Sequence, residues 1–585
     1  MANFGNNKNE MGTRKSSEQN PYTDERIESR EKLGRPQTPS TDTDSPTLTK
    51  PEELEEDNPR ARHLTLIQSR SRNPPLSRPG TLHTIRSERS YGGEDGYSCR
   101  QEDPEVPDDA ENAEEKQWEV KWDGEHDPLN PRNREKWKKW SIVLIMASSA
   151  LCVTCTSSLY TLTYDQITVE FNCSRIVATL GLSLFVCGLG IGPMILSPLS
   201  EFYGRRPIYI YSYLFFVIWL IPCAVARNIT TMLISRFFDG VAGSAFLSVA
   251  GGTVGDMFAK NGLSLPMMVY TASPFIGPEI GPLLGGFINQ YTSWRWSFYV
   301  LLIWAGVQCA LILFFVPETY TPVILRVKAR KLRKDSGEEK WIAPIERMDR
   351  SIPKTVMWSC IRPFQLLVLE PMCLNLCLLS AILLGVLYLF FGAFPLVFGK
   401  GHGFTLSQVG LTFLGIFVGM ALGISSDPLW RRNYSRLMRN YEKETGRPGA
   451  SEPEFRLPPT ILGAWIVPIS LFGFAWTTYP SVHWIVPIIF STLFGLGNIF
   501  VFSGVFTFLV DCYPLYAASA LAANSFARSS FAAAFPLFGV QMYNKLGYQW
   551  ATSLLAFLAL AMAPFPYVFF RYGKRLRGNS RFAAT

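Results

Sequence analysis

Four ionisable side chains stand inside long apolar runs of this sequence: Arg236, Asp239, Glu279 and Arg528. Each costs roughly 2.5–3.5 kcal/mol at the centre of a hydrocarbon layer on insertion scales, so each calls for a reason. Arg236 and Asp239 lie one helical turn apart, where they can share a face and offset one another's desolvation. Counted down from the end of its run, Asp239 lies roughly 14 Å deep at 1.5 Å per residue. A carboxylate at that depth, tuned by a guanidinium, is the first candidate for a proton carrier; the alternative is a purely structural pair. Glu279 is the second candidate. Arg528 has no acidic neighbour in its own run. It either binds an anionic or polar group of a substrate or pairs with another helix, and Asn524, one turn earlier, is expected to line the same face. Asp165 and Glu370 fall nearer run ends and read as interfacial. The histidines all lie outside the hydrocarbon, His63, His83 and His126 before the first run and His402 and His483 at outer ends, so histidine is not the midmembrane relay.

The elements that must hold these groups follow from composition. The chain has 585 residues, 56 Lys plus Arg and 48 Asp plus Glu. Residues 1–140 carry 23 basic and 29 acidic side chains, leaving 33 and 19 for the other 445, roughly 12% charged and half the usual share of a globular domain. A soluble fold of that size needs a more charged surface, so the remainder must meet lipid. Residues 1–117 lack a sustained apolar period and read as a disordered cytoplasmic tail, in which Leu64–Ile67 is a weak candidate for membrane contact. The start has no apolar core of a secretory signal, so the first span directs insertion. Residues 118–140 form a pre-helix segment. From 141 onward about twelve runs of spanning length recur: 141–161, 177–198, 207–226, 230–253, 265–289 and 296–316, then 367–395, 404–424, 459–478, 483–509, 517–541 and 547–570. This is an all-α membrane protein with six-helix halves at 141–316 and 367–570, a cytoplasmic central loop at 317–366 and a cytoplasmic tail at 571–585. With the N-terminus inside, outer connections hold Arg175, Arg227, Arg295, Lys400 and Lys545; with Arg236 and Arg528 inside spans, 33 − 7 = 26 basic residues fall on the inner side. That bias places both termini in the cytoplasm. Asn172 and Asn228 then lie outside as glycosylation sequons, and Asn433 lies inside.

The halves echo each other. Glu201 precedes Arg205-Arg206 by four residues, as Asp427 precedes Arg431-Arg432; Asp256 closes the fourth run and Asp511 the tenth. The stretch Ser197-Pro-Leu-Ser-Glu201-Phe-Tyr-Gly204-Arg205-Arg206 resembles the signature between spans 2 and 3 of the major facilitator superfamily, with Glu201 for the usual Asp and Ser197 for the opening Gly. Gly277-Pro278-Glu-Ile-Gly281-Pro282-Leu-Leu-Gly285-Gly286 is similar to the antiporter motif of its drug:proton antiporter branch. Arg236-Phe-Phe-Asp239-Gly240, Trp122-Asp-Gly-Glu-His-Asp-Pro-Leu-Asn-Pro131, Pro317-Glu-Thr-Tyr320 and Ala522-Ala-Asn-Ser-Phe-Ala-Arg528 resemble segments of the fungal twelve-span members. The resemblance covers about 118–581 and implies the major facilitator fold. In the physical reading, Gly204 makes a tight turn, and Arg205 pairs with Asp256 to lock two helices at the inner surface. The resemblance implies that this lock, with Glu201 and Arg206, closes the inner gate and favours the outward-facing state; the alternative is that the arginines only obey positive-inside topology. The glycines Gly277, Gly281 and Gly285 recur every four residues and form a smooth face, while Pro278 and Pro282 bend the helix, so this run is a hinge or seam between halves, or simply a packing face.

No phosphate-cradling loop with its lysine appears, since Gly399-Lys400-Gly401 fails the last position, so an ion gradient is the expected energy source. No nucleophile elbow, metal-ligand cluster or dinucleotide loop supports an enzyme, a cofactor or a metal, and the 11 cysteines read as packing. The resemblance implies a proton-coupled plasma-membrane exporter of small hydrophobic compounds, expected to be monomeric, with lipid, protons and substrate as its partners and no nucleic acid. Polyamine export and a transporter-like nutrient sensor are the alternatives.

Overall fold

The computed structural model describes residues 118–583, apart from Glu125 and residues 259–261, 348–350, 447–450 and 579. The expected tail at 1–117, with His63, His83 and Leu64–Ile67, lies outside the described residues. In hydrocarbon a backbone can satisfy its polar groups only within helices or closed barrels, and here the apolar runs form helices. The first half holds α1 (Lys136–Glu170), α2 (Arg175–Tyr203), α3 (Arg205–Ala224), α4 (Ile229–Met257), α5 (Ser264–Tyr291) and α6 (Trp294–Phe315). Then come α7 (Thr321–Ser336) and α8 (Ile352–Leu369). The second half holds α9 (Pro371–Gly401), α10 (Leu406–Thr445), α11 (Pro458–Trp476), α12 (Ile485–Cys512), α13 (Ala517–Leu546) and α14 (Tyr548–Arg577). Among the described residues no strand forms, only an isolated bridge between Glu119 and Ile342.

Ten of these helices are both long and apolar enough to cross a membrane; α5 and α13 are not among the ten. Both are long, at 28 and 30 residues, but α5 is diluted by Pro274, Pro278 and Pro282 with their neighbouring glycines, and α13 by alanine, serine and asparagine. They hold the fifth place in their respective halves, and they carry Glu279 and Arg528. Less apolar helices at matching positions are what a polar cavity between two repeats requires.

The connection expected as a loop over 317–366 contains two helices. Leu325 and Ala329 of α7 bury against Val120 and Ala343, a small core that fixes the pre-helix segment. Asp127 clasps the same pair of segments: it accepts the N–H groups of Asp123 (2.9 Å) and Leu129 (2.8 Å) and the ammonium of Lys328 (3.1 Å). Burial alone would raise the Asp127 carboxyl, but these three donors outweigh it and hold it below its usual range. Helix α9 opens at Pro371 rather than at 367, because a residue before proline is pushed out of the helical region, and Glu370 is extended (φ −115°, ψ 97°). Glu370 stands at the start of α9, where it is buried and accepts from Tyr513 (3.2 Å) and Ser580 (2.8 Å). The ten described cysteines are unbridged.

Candidate functional site

A cavity of about 2230 Å³ lies between the halves. Its deep wall includes Thr154 of α1, Phe275 and Pro278 of α5, Tyr388 of α9 and Arg528 of α13; its mouth includes Glu201, Trp358, Arg362, Asp427 and Arg431. These mouth residues share the face that bears the arginine-rich connections, so the cavity opens on the basic face. At the opposite face the halves touch. A Cβ on Gly286 would meet the Leu406 carbonyl oxygen at 2.8 Å, and one on Gly410 would meet the Pro282 carbonyl at 2.5 Å, so α5 and α10 approach as closely as backbones can. Gln290 adds a hydrogen bond from the Ser407 N–H (2.8 Å). The four-residue stripe turns elsewhere: Gly277, Gly281 and Gly285 pack on α1, within the first half, against Thr154, Ser158 and Leu159. The seam between halves is made by Gly286 and Pro282.

At the basic face, α2 ends at Gly204, whose φ of +99° no side-chain-bearing residue adopts cheaply, and α3 starts at once with Arg205. Arg205 is buried and its Nε lies 3.6 Å from Asp256 Oδ2 at the end of α4; its Nη1 donates to Ser200 (2.7 Å), and the guanidinium sits 4.7 Å over the Tyr320 ring. Glu318, in the Pro317-Glu-Thr-Tyr320 segment, has a role that the sequence does not announce. It accepts the N–H groups of Arg205 (2.9 Å) and Arg206 (3.1 Å), satisfying an α3 N-terminus that has no other side-chain cap. Arg206 reaches the Leu313 carbonyl (3.2 Å), and Glu201 lines the mouth. All of these contacts lie within the first half and its connection, and the mouth is open with Arg205 and Asp256 in place. In this open-mouthed conformation the pair ties α2, α3 and α4 together.

The second-half copy is arranged differently. Asp427 and Arg431 pair with each other along one helix, α10, which runs on to Thr445, and both are partly exposed. Asp511 pairs instead with Arg456 (2.7 Å).

Arg236 and Asp239 are fully buried and paired at 3.7 Å. Arg236 also donates to the Thr156 carbonyl (3.0 Å) and lies over Tyr160 and Phe185, with ring centroids at 4.7 and 4.4 Å. Neither residue is part of the cavity wall. They are linked to it: the Ser157 carbonyl accepts from Arg236 (3.4 Å), and the Ser157 hydroxyl shares a 3.1 Å hydrogen bond with that of Tyr388. Tyr388, from the other half, is within electrostatic reach of Glu279, Arg528 and Arg236 together. Glu279 is 1% exposed, with no hydrogen-bond partner for either oxygen, and it also lies behind the wall. Asn524 does not line the cavity as expected. It is fully buried and turned toward α9, where it accepts the Ser380 hydroxyl. Asn172 (φ 47°) and Asn228, which caps α4 by accepting the Thr231 N–H (2.8 Å), are exposed at the face opposite the mouth.

The family description "Major Facilitator Superfamily" matches residues 146–536. An efflux pump of Aspergillus terreus is 59% identical over 466 residues, covering 80% of this chain and 90% of its own length. A probable drug/proton antiporter of Saccharomyces cerevisiae is 41% identical, covering 77% and 87%. The xylose transporter of E. coli, solved in a partially occluded inward-open conformation, shares the fold with a TM-score of 0.52 at 16% identity, over 74% of this chain and 99% of its own. Two six-helix halves around a cavity, the span 2–3 turn and these matches agree: the chain is a multi-pass membrane transporter, not an enzyme, and belongs to the fungal drug:proton antiporter branch of the Major Facilitator Superfamily.

Proposed function

We propose that the protein exports small, largely apolar compounds in exchange for protons, by alternating access across the plasma membrane, with its basic face and both termini in the cytoplasm. The observation that carries this reading is the cavity, walled by both halves, open on the basic face and sealed at the other by the α5–α10 seam. Such a state takes cargo from the cytoplasm, and rocking the halves about the cavity would release it outside. The names of the fungal relatives, an efflux pump and a probable drug/proton antiporter, support both the direction and the coupling ion.

For coupling, a carboxylate must exchange its proton with one side at a time, and the cost of burying its charge ties that exchange to the movement of the halves. Asp239 takes this role, with Arg236 as its partner and Glu279 second. The Ser157–Tyr388 bond joins α1 to α9 across the interface, so parting the halves at the sealed face would break it and change the surroundings of Arg236. Gating falls to the Gly204 turn, with Glu201, Arg205, Arg206 and Asp256, and to Asp427 and Arg431 on the other side of the mouth. A polyamine cargo fits less well, because the deep wall presents a guanidinium rather than a carboxylate.

The test uses vesicles with an imposed pH gradient. Asp239→Asn keeps the shape and removes the titration, so gradient-driven accumulation should fall at least tenfold with substrate binding still measurable; Glu279→Gln should cause a milder loss. Accumulation persisting in the double variant would show that the proton travels elsewhere.

A further inference from the structure

We propose that the deep end of the cavity is a binding site for aromatic carboxylates, with Arg528 as the charge partner and Phe275 and Phe506 as the walls that hold the ring. The proposal rests on the export reading and adds the chemical class of the cargo.

Two arginines lie at comparable depth, and they differ in what surrounds them. Arg236 is fully buried, paired with Asp239, bonded to backbone carbonyls and covered by rings. Arg528 has the rings alone: its guanidinium lies 4.8 Å from the Phe506 centroid, 5.5 Å from Phe502 and 5.8 Å from Phe275. Among the described residues it has no carboxylate within ion-pair distance and no hydrogen bond, and its Nε is buried without a partner. A guanidinium carries five donors in a planar fork that matches a carboxylate, and leaving the Nε–H unmade away from water is expensive.

The position of Arg528 makes the missing partner a ligand. It lines the cavity, whereas the other charged wall residues, such as Glu201, Asp427 and Arg431, belong to the mouth. A molecule moving inward meets this one charge only after leaving bulk water, where the attraction is least screened. The surrounding wall is apolar and aromatic: Phe275 and Phe506 stand beside Leu384, Leu387 and Pro278, with Ser525 and Ser529 flanking Arg528 on α13. Phe275 stacks on Phe502 (4.9 Å, 16°), which fixes the ring on which a planar ligand would lie. A free inorganic anion would use the arginine and waste the rings, and a neutral aromatic would do the reverse. An aromatic acid uses both.

The experiment compares two probes of one shape, 2-naphthoate and 2-naphthamide, by calorimetry on the purified full-length chain in nanodiscs. Wild type should bind the acid at least tenfold more tightly than the amide. Arg528→Gln should abolish that preference while leaving the amide affinity within twofold, which also reports that the variant is folded. Arg528→Lys keeps the charge without the fork, so it should retain part of the preference; should the glutamine variant not fold, this variant and Phe506→Ala, expected to weaken both probes alike, carry the test. Equal affinity of wild type for acid and amide, or a preference that survives Arg528→Gln, overturns the proposal. Export of a neutral dye, Nile red, is measured in parallel. Dye export by a wild type that shows no acid preference would sink the carboxylate site alone, whereas an acid preference removed by Arg528→Gln in a chain that exports neither probe nor dye would sink the export reading and leave the site standing.

Discussion

The two halves carry the same acid-to-arginine spacing at the same place, yet they use it in opposite ways. In the first half the helix breaks. Gly204 turns the chain between α2 and α3, Arg205 sinks to 8% side-chain exposure against Asp256, and Glu318 caps the new helix start. In the second half Trp430 occupies the place of Gly204 and lies inside a helix that starts at Asp427 after a turn at Ser426: Arg431 stays 46% exposed and pairs with Asp427 one turn back. One glycine thus separates a buried, three-helix clamp from an ordinary surface pair. Surface pairs are worth about 0–1 kcal/mol, whereas removing one partner of a buried pair costs about 3–5 kcal/mol by stranding the other.

This contrast can be broken most sharply at the arginines. Arg205→Ala leaves Asp256 buried without its cation, so transport should fall at least tenfold with protein still present in the membrane, while Arg431→Ala should cost no more than about twofold. Uptake assays normalised to surface protein decide it, and equal effects would erase the asymmetry. Next in size is Gly204→Ala. A Cβ at φ +99° costs about 1–3 kcal/mol, and here it would also press on Glu318. A thermal midpoint several degrees lower is expected, with Trp430→Ala, in a plain helix, shifting it less; similar shifts would mean that the turn carries no special burden. The smallest effect concerns the clasp of Asp127 and Lys328. Because the Asp127 carboxyl is held below the ordinary aspartate value of 3.8, its contribution is present above that pH and is lost as pH falls through the lower, folded value. Amide exchange in the 118–135 segment should therefore stay slow at pH 5 and quicken only below about pH 4, and Lys328→Ala should move that onset upward. An onset near pH 6 would assign the ordering of the segment to another group.

The spans were legible because an apolar run of about twenty residues has one way to satisfy its backbone in lipid. The Arg205–Asp256 pairing was legible too, since a turn signature and a span-ending aspartate leave few partners. The role of Glu318 was not: its segment stood out by resemblance, but it caps Arg205 from 113 positions away, and no local pattern announces a partner that distant. Asn524 misled for a different reason. It shares a face with Arg528 by spacing, but four residues advance a helix by more than a full turn, and a short side chain is bound to its own direction while arginine can lean into the cavity. The central connection looked like a loop because its charges hid Leu325 and Ala329, whose helical spacing has meaning only once Val120 is placed against them.

The helical arm of the second half is also a mechanical part. Beyond the turn at Ser426, the 19 largely polar residues of Asp427–Thr445 make a segment of roughly 28 Å, close to the hydrocarbon thickness. So charged a segment belongs beyond the basic face, like an oar past its rowlock. A tilt of about ten degrees of the half that bears it would sweep its tip through roughly 5 Å, taking a projecting arm of about 30 Å. The first half, cut at Gly204, has no such arm. Rocking of the halves, as proposed above, would thus be reported at that tip on one side only, where a probe can follow it without entering the cavity.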